Sequence, residues 1–489
     1  MLRKRTVVFL VVAAMLCGGL LTMMFTQLPN LAGSSASGEG LLASIAKNGL
    51  EQEEAKKIGT ALDLIESNYY KDIDRDKLVD GAINGMMESL GDPYSNYMGK
   101  VPAAQFEESI EGSFSGIGAE VSSVDGNVVV VSPIKGSPAD KAGIRAKDAI
   151  LSVNGESLQG LDLNAAVAKI KGPKGSKAVI KVKRAGTSEP IEFVIIRDNV
   201  NLETVSARME SNKVGIIEIS QFSLNTGDRF KEELKKLEAQ GMEGLVIDVR
   251  NNPGGVLAVV IDIAEQFVPK GKLIVQVEDK DKKREKHPSN GESKPYPVTV
   301  LMNKGSASAS EILAGALQQS AGAVLIGENT FGKGTVQTSF EKQFGDGSLL
   351  KVTIAKWLTP NGSWIHEKGI KPDLKVDQPD YFLVAPIDKK KTLKYDMNGS
   401  DVMNAQIMLE AVGYKPGRKD GYFDRATEKA VKSFQSSQKL KADGVVNTAT
   451  AEALEAALIK KIQDPKNDNQ LNRGITEIRE EIATKASKK

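Results

Sequence analysis

The chain has 489 residues, 40% of them hydrophobic and 26% charged, a length that implies about three domains of ordinary globular composition. Lys and Arg number 65 against 63 acidic residues, so no net field favours nucleic acid, and none is expected as a partner. The single cysteine, Cys17, excludes disulfides, thiolate clusters and a cysteine nucleophile in the folded body, and two histidines without an HExxH motif argue against a zinc hydrolase.

Arg3-Lys4-Arg5 precedes an uncharged run over 7–25. Such a run suits a membrane-spanning helix, and the basic flank predicts a cytoplasmic N-terminus with an exported body. Residues 1–30 are therefore expected to be a signal anchor or transmembrane segment. The Gly-, Ser- and Ala-rich residues 31–50 read as a linker. Over 51–112, Ile58, Leu62 and Ile65, then Leu78, Ala82 and Met86, recur at helical spacing. Gly91-Asp92-Pro93 stops the second helix, and the pair reads as a cap or dimer contact.

Short strands follow over 113–198: residues 128–131, 149–153, 179–182 and 193–196. One helix intervenes, with Leu163, Val167 and Ile170 on one face. From 199 to 378 strands alternate with helices near 229–239, 256–267 and 309–318, the signature of an α/β layered domain with a largely parallel sheet. The charged stretch 280–287 reads as a solvated loop. Residues 379–396, with two prolines and three consecutive lysines, read as a linker. A small helical unit spans 397–460, and the polar residues 461–489 form a tail expected to be disordered.

The chemistry concentrates in three turns. A strand at 298–301 runs into Asn303-Lys304-Gly305-Ser306-Ala307-Ser308-Ala309-Ser310-Glu311, and a helix follows. Small neighbours leave a serine hydroxyl accessible there, and free helix N–H groups can meet an oxyanion. The same residues also fit an ordinary S-x-x-E capping box. Downstream, Gly332-Lys333-Gly334 follows another strand. A lysine buried there loses solvation of its charged form and can act as a base, whereas an exposed turn is the plain alternative. Gln337, four residues on, can orient the amine. Asn251-Asn252-Pro253-Gly254-Gly255 leaves the strand at 245–249 and offers glycine N–H groups for the other half of an oxyanion hole, or is merely a helix start.

Four segments, DVRNNPGG, NKGSASASEILAGAL, IGENTFGKGTVQ and TPNGSWIHEKGIKPD, occur in this order and closely resemble those of the carboxyl-terminal processing proteases, tail-specific serine peptidases of the Ser/Lys type. The recognisable pattern covers about 55–377. The resemblance implies a multidomain α/β protein whose protease core is of the ClpP/crotonase type. It makes Ser308 the nucleophile, Lys333 the base and Gln337 its orienting partner, with Ala309 and Gly254 or Gly255 forming the oxyanion hole. The choice of Ser308 over Ser306 and Ser310 rests on this resemblance. No metal or organic cofactor is implied, and His366 is taken as structural.

Gly116, Ile117, Gly118 and Ala119 resemble the carboxylate-binding loop of PDZ domains, with Leu163 and Val167 walling the groove for a terminal side chain. Residues 397–460 resemble a peptidoglycan-binding domain. The expected partners are thus protein or peptide substrates with free C-terminal tails, peptidoglycan, the membrane through the N-terminal anchor, and a second copy of the chain. The expected setting is a Gram-positive cell envelope, with a regulated role such as sporulation. A non-catalytic envelope scaffold is the rival reading.

Overall fold

A computed structural model describes residues 51–124 and 126–487, so the apolar N-terminal run lies outside the described residues. Among the described residues no helix is long and apolar enough to cross a membrane. The chain divides into two compact units after Gly85. The first holds α1 (Gln52–Asn68), whose N-terminus is closed by a Glu51/Glu54 capping box, and the start of α2 (Arg75–Glu88). No residue of α1 is buried.

After α2 the chain forms β1 (Asn96–Met98), α3 (Lys100–Glu111) and β2 (Ser113–Gly116). A six-stranded module follows, β3 (Ala119–Val124), β4 (Asn127–Pro133), α4 (Pro138–Ala142), β5 (Ala149–Val153), β6 (Glu156–Ser157), α5 (Leu163–Ile170), β7 (Lys177–Lys183) and β8 (Ile191–Ile196), with β6 paired to β5 alone. Its sheet runs β3-β4-β5-β7-β8, which leaves β3 at an edge with α5 packed beside it. Val128, Val130, Ile150, Ile180 and Val182 alternate inward and make its core. Gly118 has φ +77° and sits so close to Ser137 that a Cβ would stand 2.4 Å from the serine Cβ. Only glycine fits there.

The next elements are β9 (Asp198–Asn201), β10 (Val205–Met209), β11 (Val214–Ile219), α6 (Thr226–Ala239), β12 (Gly244–Asp248), α7 (Leu257–Ala264), β13 (Leu273–Asp279), β14 (Arg284–Pro288), β15 (Val298–Met302), α8 (Ala309–Ala316), β16 (Val324–Gly327), β17 (Thr335–Phe340), β18 (Leu349–Leu358) and β19 (Leu374–Lys375). The main sheet runs β10-β11-β12-β15-β16-β19, parallel except for the β10–β11 pair. Two expected strands, β13 and β18, leave it and join β1, β14 and β17 in a separate antiparallel sheet. The charged stretch read as a loop is half strand: β14 pairs with β13 through His287 opposite Val275, because one hairpin face can be solvated.

Beyond β19 the small helical module holds α9 (Ser400–Ala411), α10 (Arg425–Ser437) and α11 (Thr448–Gln463). The expected linker before it is partly its core, since Ile387 and Leu393 are buried with Val402, Leu409, Phe423 and Phe434. The expectation of a disordered tail is corrected more sharply. Residues Asn469–Ser487 form α12, and Leu471 and Ile478 are buried against Val214, Ile216, Val246, Leu301 and Ile326. The physical reason lies in the sheet, whose strands β11 and β12 are buried almost throughout. A parallel sheet needs cover on both faces. Helices α6, α7 and α8 supply one side, and α12 the other.

Candidate active site

Strand β15 ends at Met302, and the chain turns through 303–308 before α8 begins at Ala309. Ser308 occupies the turn at φ 54° and ψ −112°, a conformation that a side-chain-bearing residue adopts only under constraint. Burial separates the three serines. Ser306 and Ser310 are each 0% exposed, and their hydroxyls donate to Val249 O at 2.8 Å and Asn252 O at 2.9 Å. Ser308 is only half-buried and lines a cavity of about 750 Å³. Lys333, Gln337, Ala309, Gly254 and Gly255 line the same cavity.

Glu311, which the sequence presents only as a capping residue, organises this corner. It is 0% exposed, and its carboxylate accepts the Ser308 N–H at 2.8 Å, the Gly332 N–H at 2.7 Å, the Lys333 N–H at 2.9 Å and the Thr330 hydroxyl at 2.5 Å. Burial pushes its carboxyl above the ordinary range, against the pull of those same donors.

The Lys333 loop is held from both sides. The Lys333 carbonyl accepts from Trp357 Nε1 at 2.8 Å and the Gly334 carbonyl from Trp364 Nε1 at 2.9 Å. The flanking glycines serve close backbone packing: a Cβ on Gly332 would lie 2.9 Å from Gly369 N, and one on Gly334 2.8 Å from His366 N. His366 stacks on Trp364 and accepts the Gly334 N–H at 3.3 Å, a structural part. Lys333 Nζ lies over the Tyr94 ring, 5.0 Å from its centroid. Burial and the Lys351 ammonium push the Lys333 amine below the ordinary lysine range, opposed by the Asp92 and Glu311 carboxylates. Gln337 shares the cavity, yet its amide donates to Thr335 Oγ1 at 2.9 Å and Thr353 Oγ1 at 3.1 Å instead of meeting Lys333. A register shift between Val336 and Gln337 accompanies that orientation. Tyr94 and Asp92 were missed in the sequence, where Gly91-Asp92-Pro93 signalled only the end of a helix.

Facing Ser308, Gly254 lies against the elbow: a Cβ there would be 2.8 Å from Ser308 Cβ and 2.9 Å from Ala309 N. Its own N–H donates to Asn252 Oδ1 at 2.9 Å. Gly255 bridges to Phe222, and its backbone passes so near Phe222 O that a Cβ would stand 2.1 Å away. Ala309 is the first residue of α8, where backbone N–H groups have no partner within the helix.

In the PDZ-like module, Gly116 closes β2 and Ala119 opens the edge strand β3. Ile117 is turned inward, 1% exposed in the core, so it offers backbone and no side chain. Leu163 and Val167 on α5 are half-buried.

A model of peptidase family S41 matches residues 213–376, and a PDZ domain model matches 129–184. A peptidoglycan binding domain model matches 398–454, and the activating protease CtpB N-terminal domain matches 15–101. The carboxy-terminal processing protease CtpB of Bacillus subtilis (strain 168) is 48% identical over 426 residues, 86% of this chain and 88% of the relative. CtpA of the same strain is 42% identical over 483 residues, 99% of this chain and 100% of the relative. A CtpA-like serine protease of Staphylococcus aureus (strain N315) is 39% identical over 431 residues, covering 88% and 86%. Relatives this similar over nearly their whole length leave one assignment: the chain belongs to the carboxy-terminal processing proteases of peptidase family S41 and is a serine-type peptidase.

Proposed function

We propose that Ser308 is the nucleophile and Lys333 the general base of a protease that cleaves exported proteins at or near their C-terminal tails. The observation that carries this reading is burial. Of the three serines at the elbow, Ser308 alone is partly exposed, and it opens on the cavity that also holds a lysine whose amine is pushed toward neutrality. In the reaction the neutral Lys333 amine takes the hydroxyl proton as Ser308 Oγ bonds to the scissile carbonyl carbon. The carbonyl electron pair moves to oxygen and is met by the Ala309 N–H and by the Gly254-Gly255 turn. Since the Gly254 N–H is engaged by Asn252, the Gly255 N–H fits that second role better. Collapse breaks the C–N bond, Lys333 returns the proton to the leaving amine, and water then hydrolyses the acyl-enzyme by the same steps.

Among the described residues no hydrogen bond joins Ser308, Lys333 and Gln337, so turnover requires Lys333 to turn from Tyr94 and Gln337 from Thr353. Control by the PDZ domain fits this need. A substrate tail would add to the free edge of β3, its carboxylate on the backbone of Gly116, Ile117, Gly118 and Ala119 and its last side chain between Leu163 and Val167. The ion pair of Lys171, which caps α5, with Glu108 on α3 links that module to a helix that lines the cavity. The wall-binding module and the apolar N-terminal run suit an extracytoplasmic, membrane-tethered enzyme. Ile58, Leu64 and Ile65, all exposed on α1, suit a contact with a second copy.

The test is cleavage of an unfolded protein with varied C-terminal tails by the full chain, Ser308→Ala and Lys333→Ala. Both variants are expected to lose at least about a thousandfold in kcat. Equal cleavage by all three would remove the assignment.

A further inference from the structure

A buried charge network outside the cavity ties the end of the chain to the turn that faces Ser308. Asp468 caps α12 by accepting the Leu471 N–H at 2.9 Å. The same carboxylate receives both terminal nitrogens of Arg250, at 2.9 Å and 2.7 Å, a bidentate pair. Arg250 also grips Asp248 through Nε at 2.9 Å and Nη2 at 2.6 Å, and donates to Gln470 Oε1 at 3.1 Å. Asp248 and Asp468 are 7% and 9% exposed. Burial alone would push the Asp468 carboxyl up, but its bonds with Arg250 hold it below the ordinary range.

Both ends of the wall-binding module converge on this network. Gln378, ahead of the module, donates to Asp468 at 2.6 Å and accepts the Asn469 N–H at 3.0 Å, while Gln470 donates to Val376 O at 2.8 Å. On the other side of Arg250 the chain enters the turn at once. Asn251 adopts φ 57°, and Asn252, 0% exposed, has a carbonyl that accepts the Ala307 N–H at 3.0 Å and the Ser310 hydroxyl at 2.9 Å. The Gly254 backbone then meets Ser308. A shift of the guanidinium therefore moves the root of the turn whose other end meets the nucleophile.

We propose that Asp468 is a positioning residue for the reaction: through Arg250 it fixes the turn 251–255 opposite Ser308, so the C-terminal helix supports the oxyanion site. This rests on the oxyanion reading given above. A clasp that merely docked the helix would not need the charged pair, because Leu471 and Ile478 already bury its apolar face.

Asp468→Asn keeps a good helix cap but removes the charge, and Ile478→Ala loosens the apolar docking without touching Arg250. Full-length proteins are assayed for kcat, KM and affinity for a peptide aldehyde, whose adduct with Ser308 carries the oxyanion. Asp468→Asn is expected to lower kcat about tenfold or more, with KM within about twofold and aldehyde binding weakened in parallel. Ile478→Ala is expected to lower the thermal midpoint with kcat unchanged. If Asp468→Asn does not fold, Gln378→Ala carries the test, since it withdraws one hydrogen bond from Asp468 and leaves every charge in place. A fall in kcat of about threefold at constant KM supports the proposal. Unchanged kcat in the folded variant, or losses that only track the thermal midpoint, would overturn it. Were Ser308→Ala to remain active, the reading of Ser308 would fail first, so the two failures are distinguishable.

Discussion

Glu311 Oε2 accepts the backbone N–H of Lys333 at 2.9 Å and, with the same oxygen, that of Ser308 at 2.8 Å. One buried atom thus ties together the two loops that carry the proposed nucleophile and base. Glu311→Gln keeps one acceptor oxygen and replaces the other by a donor facing N–H groups. It is expected to lower kcat by about tenfold to a hundredfold, while Glu311→Ala, which strands four buried donors, destabilises the protein by about 2–4 kcal/mol. Steady-state kinetics and denaturant unfolding measure the two effects. A Gln variant with wild-type kcat would show that Glu311 is only a helix cap.

With Lys333 as the proposed base, the acidic limb of kcat/KM is expected to report its amine in the free enzyme. Burial and then Lys351 lower its pKa, whereas Asp92 raises it. Lys351→Gln therefore moves the limb toward higher pH, and Asp92→Asn moves it toward lower pH. The sign for stability follows from the same shift. Because folding lowers this pKa, the charged lysine opposes folding at low pH, and that penalty is relieved as pH rises from the folded value through the ordinary lysine value. Limbs that move the same way in both variants would contradict the electrostatic origin.

Gly254 has φ +104°, and a Cβ would stand 2.8 Å from both Ala307 O and Ser308 Cβ. Neither backbone can give way, because Ala307 N–H is tied to Asn252 O and Ser310 to the same carbonyl. Gly254→Ala is expected to cut kcat at least about a hundredfold, because the clash displaces the turn and with it the Gly255 N–H proposed to meet the oxyanion, with substrate binding to the PDZ domain intact. Tail-peptide affinity beside kcat separates this from unfolding.

The two turns that hold Ser308 and Lys333 were legible because each carries small residues soon after an apolar strand, whereas the choice of Ser308 over Ser306 and Ser310 came from the family resemblance. The parallel order of β11, β12, β15 and β16 was legible for the same reason, in strand–helix alternation. What escaped depends on partners far apart in sequence. Glu311 joins Thr330 and Lys333, 19 and 22 positions away, and Arg250 meets Asp468 across 218 positions. The tail's polar composition hid Leu471, Ile475, Ile478 and Ile482, which recur at helical spacing and pack on the second face of the sheet. Gln337 sits in the expected cavity but faces Thr353, because the register shift beside it could not be read from spacing.

Lys171 and Glu108 each retain 29% side-chain exposure, so their ion pair contributes only about 0.2–1 kcal/mol to stability. Its position gives it more leverage over control than over folding. Lys171 caps α5, which carries the Leu163 and Val167 of the proposed peptide groove, and lies over Phe114, and Glu108 belongs to α3, whose Phe106, Ile110 and Glu111 line the cavity. Lys171→Glu and Glu108→Lys are each expected to reduce, by about threefold or more, the advantage in kcat/KM of a substrate with an apolar C-terminal tail over the same substrate with its tail blocked. Combining the two restores the pair with its charges exchanged and recovers much of that advantage. Peptide affinity of the PDZ domain stays within about twofold throughout, since neither side chain lies between Leu163 and Val167. If both single variants keep the full tail advantage, the link between groove and cavity runs elsewhere; if the double variant is no better than either single one, the effect comes from local damage and not from the pairing.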